Sequence, residues 1–323
     1  MVKLGFLGTG WIGRNRMEAM LATGEAMAAA ICDPSEEMAG QAKALAPLAL
    51  ETESLEAMLA LDLDGVVIAT PSALHAEQCI QALEAGAAVF CQKPLGRTAA
   101  EVRAVLAAAR RADRLLGVDL SYRHTAAMQA IRARLSELGQ PFAADLTFHN
   151  AYGPGAGWFW EPKLSGGGCL IDLGVHLVDL ALWLFDFPEV TDARATLLRN
   201  GRPAAPEDVE DYAFAGIKLA NGVTVRIACS WNLSAGRDAV IEATVYGTGA
   251  GAQMRNEKGS FFDFSADLFR GRNAERIASP PDEWGGRAAA EWVRKLAAGE
   301  RFAGTTTGLL ETATALDRLY GRG

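Results

Sequence analysis

Apolar and polar positions follow two different patterns along the chain. In the first third, short apolar runs such as DGVVIATP (64–71) and AAVFCQKP (87–94) are each followed by a segment with helical periodicity. Alternation at this spacing is typical of βαβ units, whose strands form a parallel sheet. The helices are predicted to begin near Ile12, Ser35, His75 and Thr98, and to be capped by Gly24, Gly86 and Gly117. The pattern predicts a doubly wound Rossmann domain over residues 1–120.

The pattern changes near residue 121. A predicted helix over 125–138 is followed by alternating segments, of which VTVRIACSW (223–231) is the clearest. Its apolar residues share one face of a strand, and the opposite face is only mildly polar. Related segments lie near 141–149, 190–198, 210–219 and 239–246, and helices near 287–298 and 308–320 follow. Residues 121–323 are therefore predicted to form a second α/β domain with a large, open, mainly antiparallel sheet.

Composition narrows the class of partner. The chain has 323 residues, 50% hydrophobic and 22% charged, which is ample for two cores. The formal net charge is −8 and no basic run occurs, which argues against nucleic acid and an anionic membrane as partners. We recognise no export signal and no apolar run of membrane-spanning length. The five cysteines are scattered without a C-x-x-C pair, so we expect no disulfide framework, no metal site and a cytoplasmic protein.

A glycine motif directly follows the first predicted strand. GTGWIG (8–13) stands in the strand-turn-helix context in which glycines let the backbone approach a pyrophosphate. Asp33 ends the second strand 20 residues after Gly13, where a carboxylate binds the hydroxyls of an adenosine ribose. A carboxylate repels a 2′-phosphate, so the sequence favours NAD over NADP. An ordinary βα turn is the alternative. The predicted cofactor-binding residues here are Gly8, Gly10, Trp11, Ile12, Gly13 and Asp33.

Two further predicted strands end in polar residues. The fourth runs into ATPSALH (69–75) and the fifth into CQKP (91–94). Open α/β sheets bind their ligands at the carboxyl ends of such strands. We therefore add Thr70, Pro71, His75, Gln92 and Lys93 to the predicted cofactor site. A solvated surface lysine is the alternative interpretation of Lys93.

A strongly apolar helix carries three ionisable residues. In GGGCLIDLGVHLVDL (166–180), Asp172, His176 and Asp179 fall on one stripe of a regular α-helix. Either the stripe is catalytic or it is a buried structural His-Asp pair. Asp179 is expected to orient His176 or to cap a neighbour. Upstream, Trp158 and the two aromatic residues after it either stack on a sugar or pack in the core.

Together, the motifs resemble the Gfo/Idh/MocA oxidoreductases, the family of glucose-fructose oxidoreductase and inositol 2-dehydrogenase. The resemblance rests on GTGWIG, ATPxxxH, QKPL and GGGxxxDxGxHxxD. It implies a Rossmann domain, a second domain whose open sheet makes oligomer contacts, and NAD(P)-dependent chemistry on a sugar or polyol. It also implies catalytic roles for Lys93, Asp172 and His176. Position 92 departs from the family, since Gln92 stands where its motif usually has glutamate.

These observations predict an NAD-dependent dehydrogenase or reductase that acts on a secondary alcohol or ketone of a sugar or polyol. His176 is the predicted general base, with Lys93 as the alternative, and Asp172 stabilises the imidazolium or binds substrate. The predicted substrate-binding residues are Lys93, Tyr122, Arg123, Trp158, Asp172 and His176. An NAD-assisted glycoside hydrolase and a non-catalytic sugar or nucleotide sensor are the alternatives. We expect a homodimer or homotetramer formed through the second domain's sheet.

Overall fold

The computed structural model describes residues 1–302 and 306–322. The chain divides into two compact units. The first comprises Met1–Asp119 and Gly286–Leu309, and the second comprises Leu120–Gly285 and Leu310–Gly323.

The first unit contains a six-stranded parallel sheet in the order β3-β2-β1-β4-β5-β6. Its strands are β1 (Val2–Leu7), β2 (Ala26–Cys32), β3 (Leu50–Glu51), β4 (Gly65–Ile68), β5 (Ala88–Cys91) and β6 (Leu116–Val118). Its helices are α1 (Trp11–Leu21), α2 (Glu36–Leu45), α3 (Leu55–Leu59), α4 (Ser72–Glu84), α5 (Ala99–Ala112) and α9 (Arg287–Ala297), numbered in chain order. The strand order reverses between β1 and β4, which confirms the doubly wound Rossmann prediction.

The return of α9 to the first unit differs from the predicted division of the chain at residue 120. Trp292 of α9 packs in the same core as Leu4 and Phe90. A Cβ built on Gly117 would lie 2.6 Å from the Trp292 ring, and one on Gly65 would lie 2.8 Å from it. Gly117 is therefore a strand residue that makes room for an indole, and its predicted role as a helix cap is wrong.

The second unit contains a nine-stranded sheet in the order β15-β14-β13-β12-β7-β11-β10-β8-β9. Its strands are β7 (Pro141–Asn150), β8 (Val190–Arg199), β9 (Arg202–Pro203), β10 (Tyr212–Leu219), β11 (Thr224–Ser230), β12 (Ala239–Gly247), β13 (Gly251–Asn256), β14 (Phe264–Arg270) and β15 (Asn273–Ala278). Its helices are α6 (Ala126–Ala133), α7 (Pro162–Ser165), α8 (Val175–Leu184) and α10 (Leu309–Leu319). All neighbouring pairs are antiparallel except β7 and β11, so the predicted mainly antiparallel sheet is confirmed.

The two faces of this sheet differ in burial. On β11, Val225, Ile227 and Cys229 are fully buried, whereas Thr224 and Arg226 on the opposite face are exposed. The buried face belongs to one apolar cluster that includes residues of α8. The strands β13, β14 and β15 extend the sheet beyond the segments predicted from sequence.

By length and composition alone, the helical stretch Pro162–Leu184 is long and apolar enough to cross a membrane. This corrects the expectation that no such stretch exists. Its most apolar window has a mean hydropathy of 1.5 and is 94% buried inside the protein. Burial of this kind is typical of a core helix, so the stretch is weak support for a membrane span.

Candidate active site

The glycine turn after β1 brings three backbone segments into direct contact. Gly8 has a φ of +82°, and a Cβ on it would lie 2.6 Å from Ala69 O at the end of β4. A Cβ on Gly13, inside α1, would lie 2.2 Å from Gly8 O. Because neither approach leaves space for a side chain, the packing of the turn itself requires both glycines.

The N-terminus of α1 lies beside this turn. Gly10 precedes the helix, and within the described chain no side chain caps it and no acidic residue stands in its first turn. Trp11 and Ile12 begin the helix, and Trp11 is exposed. The first N–H groups of an α-helix have no partners within the helix, and with the helix dipole they favour an anion. The geometry therefore fits the pyrophosphate of a dinucleotide.

Asp33 is held next to the same turn. Its Oδ2 accepts hydrogen bonds from Thr9 N at 2.6 Å and from Thr9 Oγ1 at 3.2 Å, and its Oδ1 accepts one from Ser35 N at 2.9 Å. On the other side of Thr9, Arg14 Nη1 donates to Thr9 O at 2.9 Å and lies 3.1 Å from Met38 Sδ. A carboxylate and a guanidinium thus flank one residue, and both charges bear on which nucleotide binds.

His75 joins the ends of β4 and β5. It is 1% exposed, and its ring nitrogens lie 2.7 Å from Thr70 O and 2.7 Å from Pro94 O. Burial lowers the pKa of His75, and the two carbonyl groups act in the opposite direction. Thr70 and Pro71 directly precede α4. His75 therefore contributes to the predicted cofactor site by holding two loops together, and its own ring is buried.

Gln92 and Lys93 follow β5. Gln92 is buried, and its Nε2 donates to Asp119 Oδ2 at 2.5 Å. Arg16 Nε of α1 donates to the same oxygen at 2.6 Å. Lys93, the next residue, is partly exposed at this carboxyl edge of the sheet. The first unit thus brings the predicted nucleotide-binding residues to one edge of its sheet.

In the second unit, the helix that carries Asp172 and His176 is not a regular α-helix. Leu170–Gly174 is a π-helical segment, and α8 begins at Val175. The α-helical spacing used to place Asp172 and His176 on one stripe therefore does not hold, because a π turn contains more residues than an α turn. Single π turns within α-helices are frequent at functional sites.

Asp172 and His176 nevertheless have well-defined neighbours. Trp231 Nε1 donates to Asp172 Oδ2 at 3.2 Å, and Asp172 is partly exposed. The buried His176 ring lies 4.8 Å from the Tyr122 ring, centre to centre. The predicted catalytic residues of the second unit are thus each supported by an aromatic side chain.

Arg123 pairs with Asp179. Arg123 Nε donates to Asp179 Oδ2 at 2.7 Å, a second bond joins Nη2 to Oδ1, and Asp179 is buried. The guanidinium carbon also lies 5.1 Å from the centre of the Phe187 ring. The expectation that Asp179 orients His176 or caps a neighbour is wrong, since its carboxylate binds Arg123. The pair neutralises Arg123, whose role in substrate binding stays a prediction.

Trp158 belongs to a cluster of four aromatic side chains, of which Trp231 contacts Asp172. Trp158 stacks on Phe159 at 3.8 Å, and Phe159 meets Trp231 edge to face at 6.2 Å. Trp160 also contacts Trp231, at 5.2 Å. Trp158 and its two neighbours are only partly buried. This aromatic cluster, which ends at the indole bound to Asp172, offers ring faces next to a carboxylate, an arrangement suited to a sugar.

No group of three or more His, Cys, Asp or Glu residues that could hold a metal ion occurs in the described part of the chain. All five cysteines are free and buried.

Comparison with known proteins gives the family. Residues 2–120 match the oxidoreductase family with an NAD-binding Rossmann fold, and residues 126–253 match the GFO/IDH/MocA C-terminal domain. The chain is 31% identical over 287 residues to D-apiose dehydrogenase of Paraburkholderia graminis, across 86% of this chain and 73% of that protein. The chain belongs to the Gfo/Idh/MocA oxidoreductase family. The resemblance inferred from the motifs is thereby confirmed.

Other relatives differ in how much of their length the chain matches. The 1,5-anhydro-D-fructose reductase of Ensifer adhaerens is 36% identical over 167 residues, which span 50% of this chain and 49% of that enzyme. A structure of levoglucosan dehydrogenase with NADH and levoglucosan superposes with a TM-score of 0.84, at 22% identity, over 99% of this chain and 96% of the other. At that identity, the superposition shows a shared fold.

Within this Gfo/Idh/MocA chain, the start of the helical stretch that carries Asp172 depends on two residues that the sequence interpretation missed. Glu210 accepts hydrogen bonds from Gly168 N at 2.8 Å and Leu170 N at 2.9 Å. Tyr320 Oη donates to Glu210 at 2.7 Å and lies 3.1 Å from Ile171 N as its acceptor. Burial raises the pKa of Glu210. Glu210 stands in the segment VEDYAF (209–214), and nothing local in this segment indicates a cap for a helix 40 residues away.

Arg16 and Asp119 were also missed, although a signal for Arg16 existed. The buried residues of α1 recur at helical spacing, and Arg16 is one of them, together with Gly13, Met17 and Met20. A charge on such a stripe is the same signal that singled out His176. Asp119 ends β6 as Asp33 ends β2, yet it lacks the glycine spacing that made Asp33 conspicuous.

Proposed function

We propose that the chain is an NAD(P)-dependent oxidoreductase that transfers a hydride between the nicotinamide and a secondary alcohol or ketone of a sugar, polyol or related ring. The observation that carries the proposal is the open N-terminus of α1 with Asp33 held beside it, in a chain that also bears Lys93, Asp172 and His176. Membership of the family and the names of its relatives support it.

The first unit supplies the groups that bind the nucleotide. The N–H groups at the start of α1 receive the pyrophosphate, and Asp33 accepts hydrogen bonds from the adenosine ribose hydroxyls. Gln92 and Lys93, at the end of β5, bind the nicotinamide half. When bound, the nicotinamide ring supplies the hydride acceptor of the oxidation or the hydride donor of the reduction.

The second unit supplies the acid-base groups. His176 takes the hydroxyl proton during oxidation and returns it during reduction, because the ordinary pKa of histidine suits proton transfer near neutral pH. Asp172, anchored by Trp231, stabilises the imidazolium or binds a substrate hydroxyl. Lys93 stabilises negative charge on the reacting oxygen, and Lys93 as the base is the alternative.

The deciding experiment compares His176→Ala and His176→Gln with the unaltered protein. If His176 is the base, kcat falls about 10²–10⁴-fold while the Kd for NADH is unchanged. If the histidine is structural, Tm falls and turnover per folded molecule is preserved. A destabilised but fully active variant removes the assignment. If His176 is the base, the pH profile of kcat for Lys93→Ala retains its acid limb. If Lys93 is the base, that limb is lost.

Incubation with NAD and a panel of sugars separates the classes of function. Net NADH formation identifies a dehydrogenase. Release of an aglycone without net NADH identifies an NAD-assisted hydrolase, and binding of sugar and NAD without turnover identifies a sensor.

We propose NAD as the preferred nucleotide, because a carboxylate after the second strand, here Asp33, would repel the 2′-phosphate of NADP. Asp33→Ser is expected to narrow the difference between the Kd values for NAD and NADP by relieving charge repulsion. Arg14→Ala is the matched variant on the other side of Thr9. If the guanidinium attracts the 2′-phosphate, this variant binds NADP more weakly than the unaltered protein does. Tighter binding of NADP than of NAD to the unaltered protein would contradict the proposal.

We propose a homodimer or homotetramer formed through the outer face of the second unit's sheet. Across β10 and β11 this face pairs Gly216 with Arg226 and Phe214 with Ala228, so each large side chain has a small neighbour. Phe214 is 47% exposed. A Cβ on Gly216 meets nothing within 4 Å, so Gly216→Arg is expected to fold and to yield monomers. Light scattering at micromolar concentration tests this, with Gly40→Arg on α2, which is equally unobstructed, as the control.

We propose a reducing, cytoplasmic location, which suits five buried free thiols. Cell fractionation with an antibody tests it. Recovery in an oxidising compartment would contradict it.

A further inference from the structure

A charged pair and an amide are buried together at the carboxyl edge of the first unit's sheet. Asp119 follows β6, is 1% exposed, and its N–H donates to Cys91 O of β5 at 2.9 Å. Its Oδ2 accepts from Arg16 Nε at 2.6 Å and from Gln92 Nε2 at 2.5 Å. Its Oδ1 is buried and accepts no hydrogen bond from any residue that the structure describes.

Stability alone does not account for this arrangement. Removing a carboxylate and a guanidinium from water costs several kcal/mol per ion, and apolar side chains of similar volume usually stabilise a core at least as well. In some proteins a buried ion pair instead fixes one geometry, and we infer that role here. The geometry fixed by Asp119 and Arg16 is that of the Gln92 side chain.

The chemistry of Asp119 also explains why residue 92 is an amide. A glutamate at that position would place a second carboxylate within about 2.5 Å of Asp119, where both could not ionise. Glutamine instead donates an N–H to Asp119. In this chain the pair therefore has its amide at position 92 and its carboxylate at position 119.

We propose that Asp119, held by Arg16, is a positioning residue for nucleotide binding. Because Asp119 holds Gln92 Nε2, the Oε1 atom lies on the other edge of the planar amide group and points away from Asp119. There Oε1 accepts a hydrogen bond from a hydroxyl of the ribose next to the nicotinamide. The inference rests on the proposed function, because it requires that the first unit binds a nicotinamide nucleotide.

The test is a double-mutant cycle on the Kd for NADH, measured by fluorescence with the purified protein. Gln92→Glu is expected to weaken binding at least tenfold at pH 7.5, and Asp119→Asn by a similar factor. The double variant exchanges the carboxylate and the amide, so that an amide at position 119 can donate to a carboxylate at position 92. It is expected to bind NADH at least tenfold more tightly than the two single effects multiplied together predict. Tenfold corresponds to about 1.4 kcal/mol of coupling.

A pH profile separates positioning from general damage. In Gln92→Glu the two carboxyl groups share one proton as pH falls, which restores a hydrogen bond between them. The Kd of that variant should therefore improve from pH 7.5 to 5.5 relative to the unaltered protein. Charged or titratable groups near residues 92 and 119 include Arg16, Lys93 and the Cys91 thiol. Burial raises the pKa of the Cys91 thiol.

Asp267→Asn is the matched control. Asp267 is 6% exposed and pairs with Arg276 at 2.6 Å in the second unit. The change should lower Tm and leave the Kd for NADH within about twofold. Arg276 is exposed, so the control tests the loss of a buried carboxylate from an ion pair, and that result would show that such a loss is not by itself a loss of nucleotide affinity.

Purely multiplicative effects on Kd overturn the proposal, as does an unchanged Kd in Gln92→Glu. If Asp119→Asn does not fold, the comparison of Gln92→Glu with the double variant decides, since equal losses overturn the proposal and recovery supports it. If the unaltered protein binds neither NADH nor NADPH, the proposed function itself fails, which is a distinguishable result.

Discussion

Gly10→Ala gives the sharpest test of the nucleotide site. The three glycines of the turn differ in why they are glycine. Side chains at Gly8 and Gly13 would strike backbone, whereas a Cβ on Gly10 meets nothing within 4 Å. Gly10 has a φ of −55° and a ψ of −176°, close to extended backbone that alanine adopts. Packing within the protein does not require a glycine there, although glycine is a favoured N-cap residue, and a ligand that approaches the backbone would require one.

The magnitude follows from this difference. The free energy of unfolding of Gly10→Ala should stay within about 1 kcal/mol of that of the unaltered protein. A methyl group where a phosphate oxygen approaches the backbone costs about 1–3 kcal/mol by overpacking. A lost hydrogen bond to a charged group costs about 1.5–3 kcal/mol. A net loss of about 3 kcal/mol corresponds to a Kd for NADH raised about 100-fold.

Calorimetry and fluorescence titration on the same preparations provide the measurement. Gly40→Ala, inside α2 with no atom near its Cβ, is the control and should gain up to about 1 kcal/mol of stability with unchanged NADH affinity. Gly13→Ala should lose both stability and affinity, since its Cβ would lie 2.2 Å from Gly8 O. A Gly10→Ala protein that binds NADH as tightly as the unaltered protein would refute the placement of the pyrophosphate at α1.

Three further predictions concern other parts of the molecule. Trp231→Phe removes the hydrogen bond to Asp172, so kcat/KM for the sugar should fall about tenfold, with the Kd for NADH unchanged. Glu210→Gln replaces an acceptor of three hydrogen bonds by an amide and should lose about 1–3 kcal/mol of stability in urea titrations. Because burial lowers the pKa of His75, its neutral form contributes stability above the ordinary pKa of about 6.5, and this stability is lost as pH falls below that value. Urea midpoints of the unaltered protein and His75→Gln should therefore converge from pH 7.5 to 5.5, and parallel curves would contradict the linkage.

The sequence by itself determined the fold class, the positions of most helices and the nucleotide-binding turn. These features depend on local chemistry. Ser35 and Thr98 accept hydrogen bonds from the first turns of α2 and α5, so the predicted starts lie next to the observed ones. Strand alternation on β11 reproduces the buried face of the sheet. The edge strand β15 was not predicted because NAERIA is mostly exposed, and burial there does not impose an apolar face. The strand β14 lies inside that edge and buries Phe264, Ala266 and Leu268, so its alternating pattern was present in FSADLFR and was not recognised.

Only the tertiary structure decided which side chains meet. Asp179 was expected to orient His176 or to cap a neighbour, and its carboxylate instead binds Arg123, which is 56 residues away in the chain. Gln92 is paired with Asp119 across 27 residues, and Gly117 is a glycine because Trp292 packs on it. The π-helical segment before α8 changed the spacing between Asp172 and His176. Periodicity reports which face of an element is buried, whereas the partner of a buried charge is chosen by segments distant in sequence, and no local pattern carries that information.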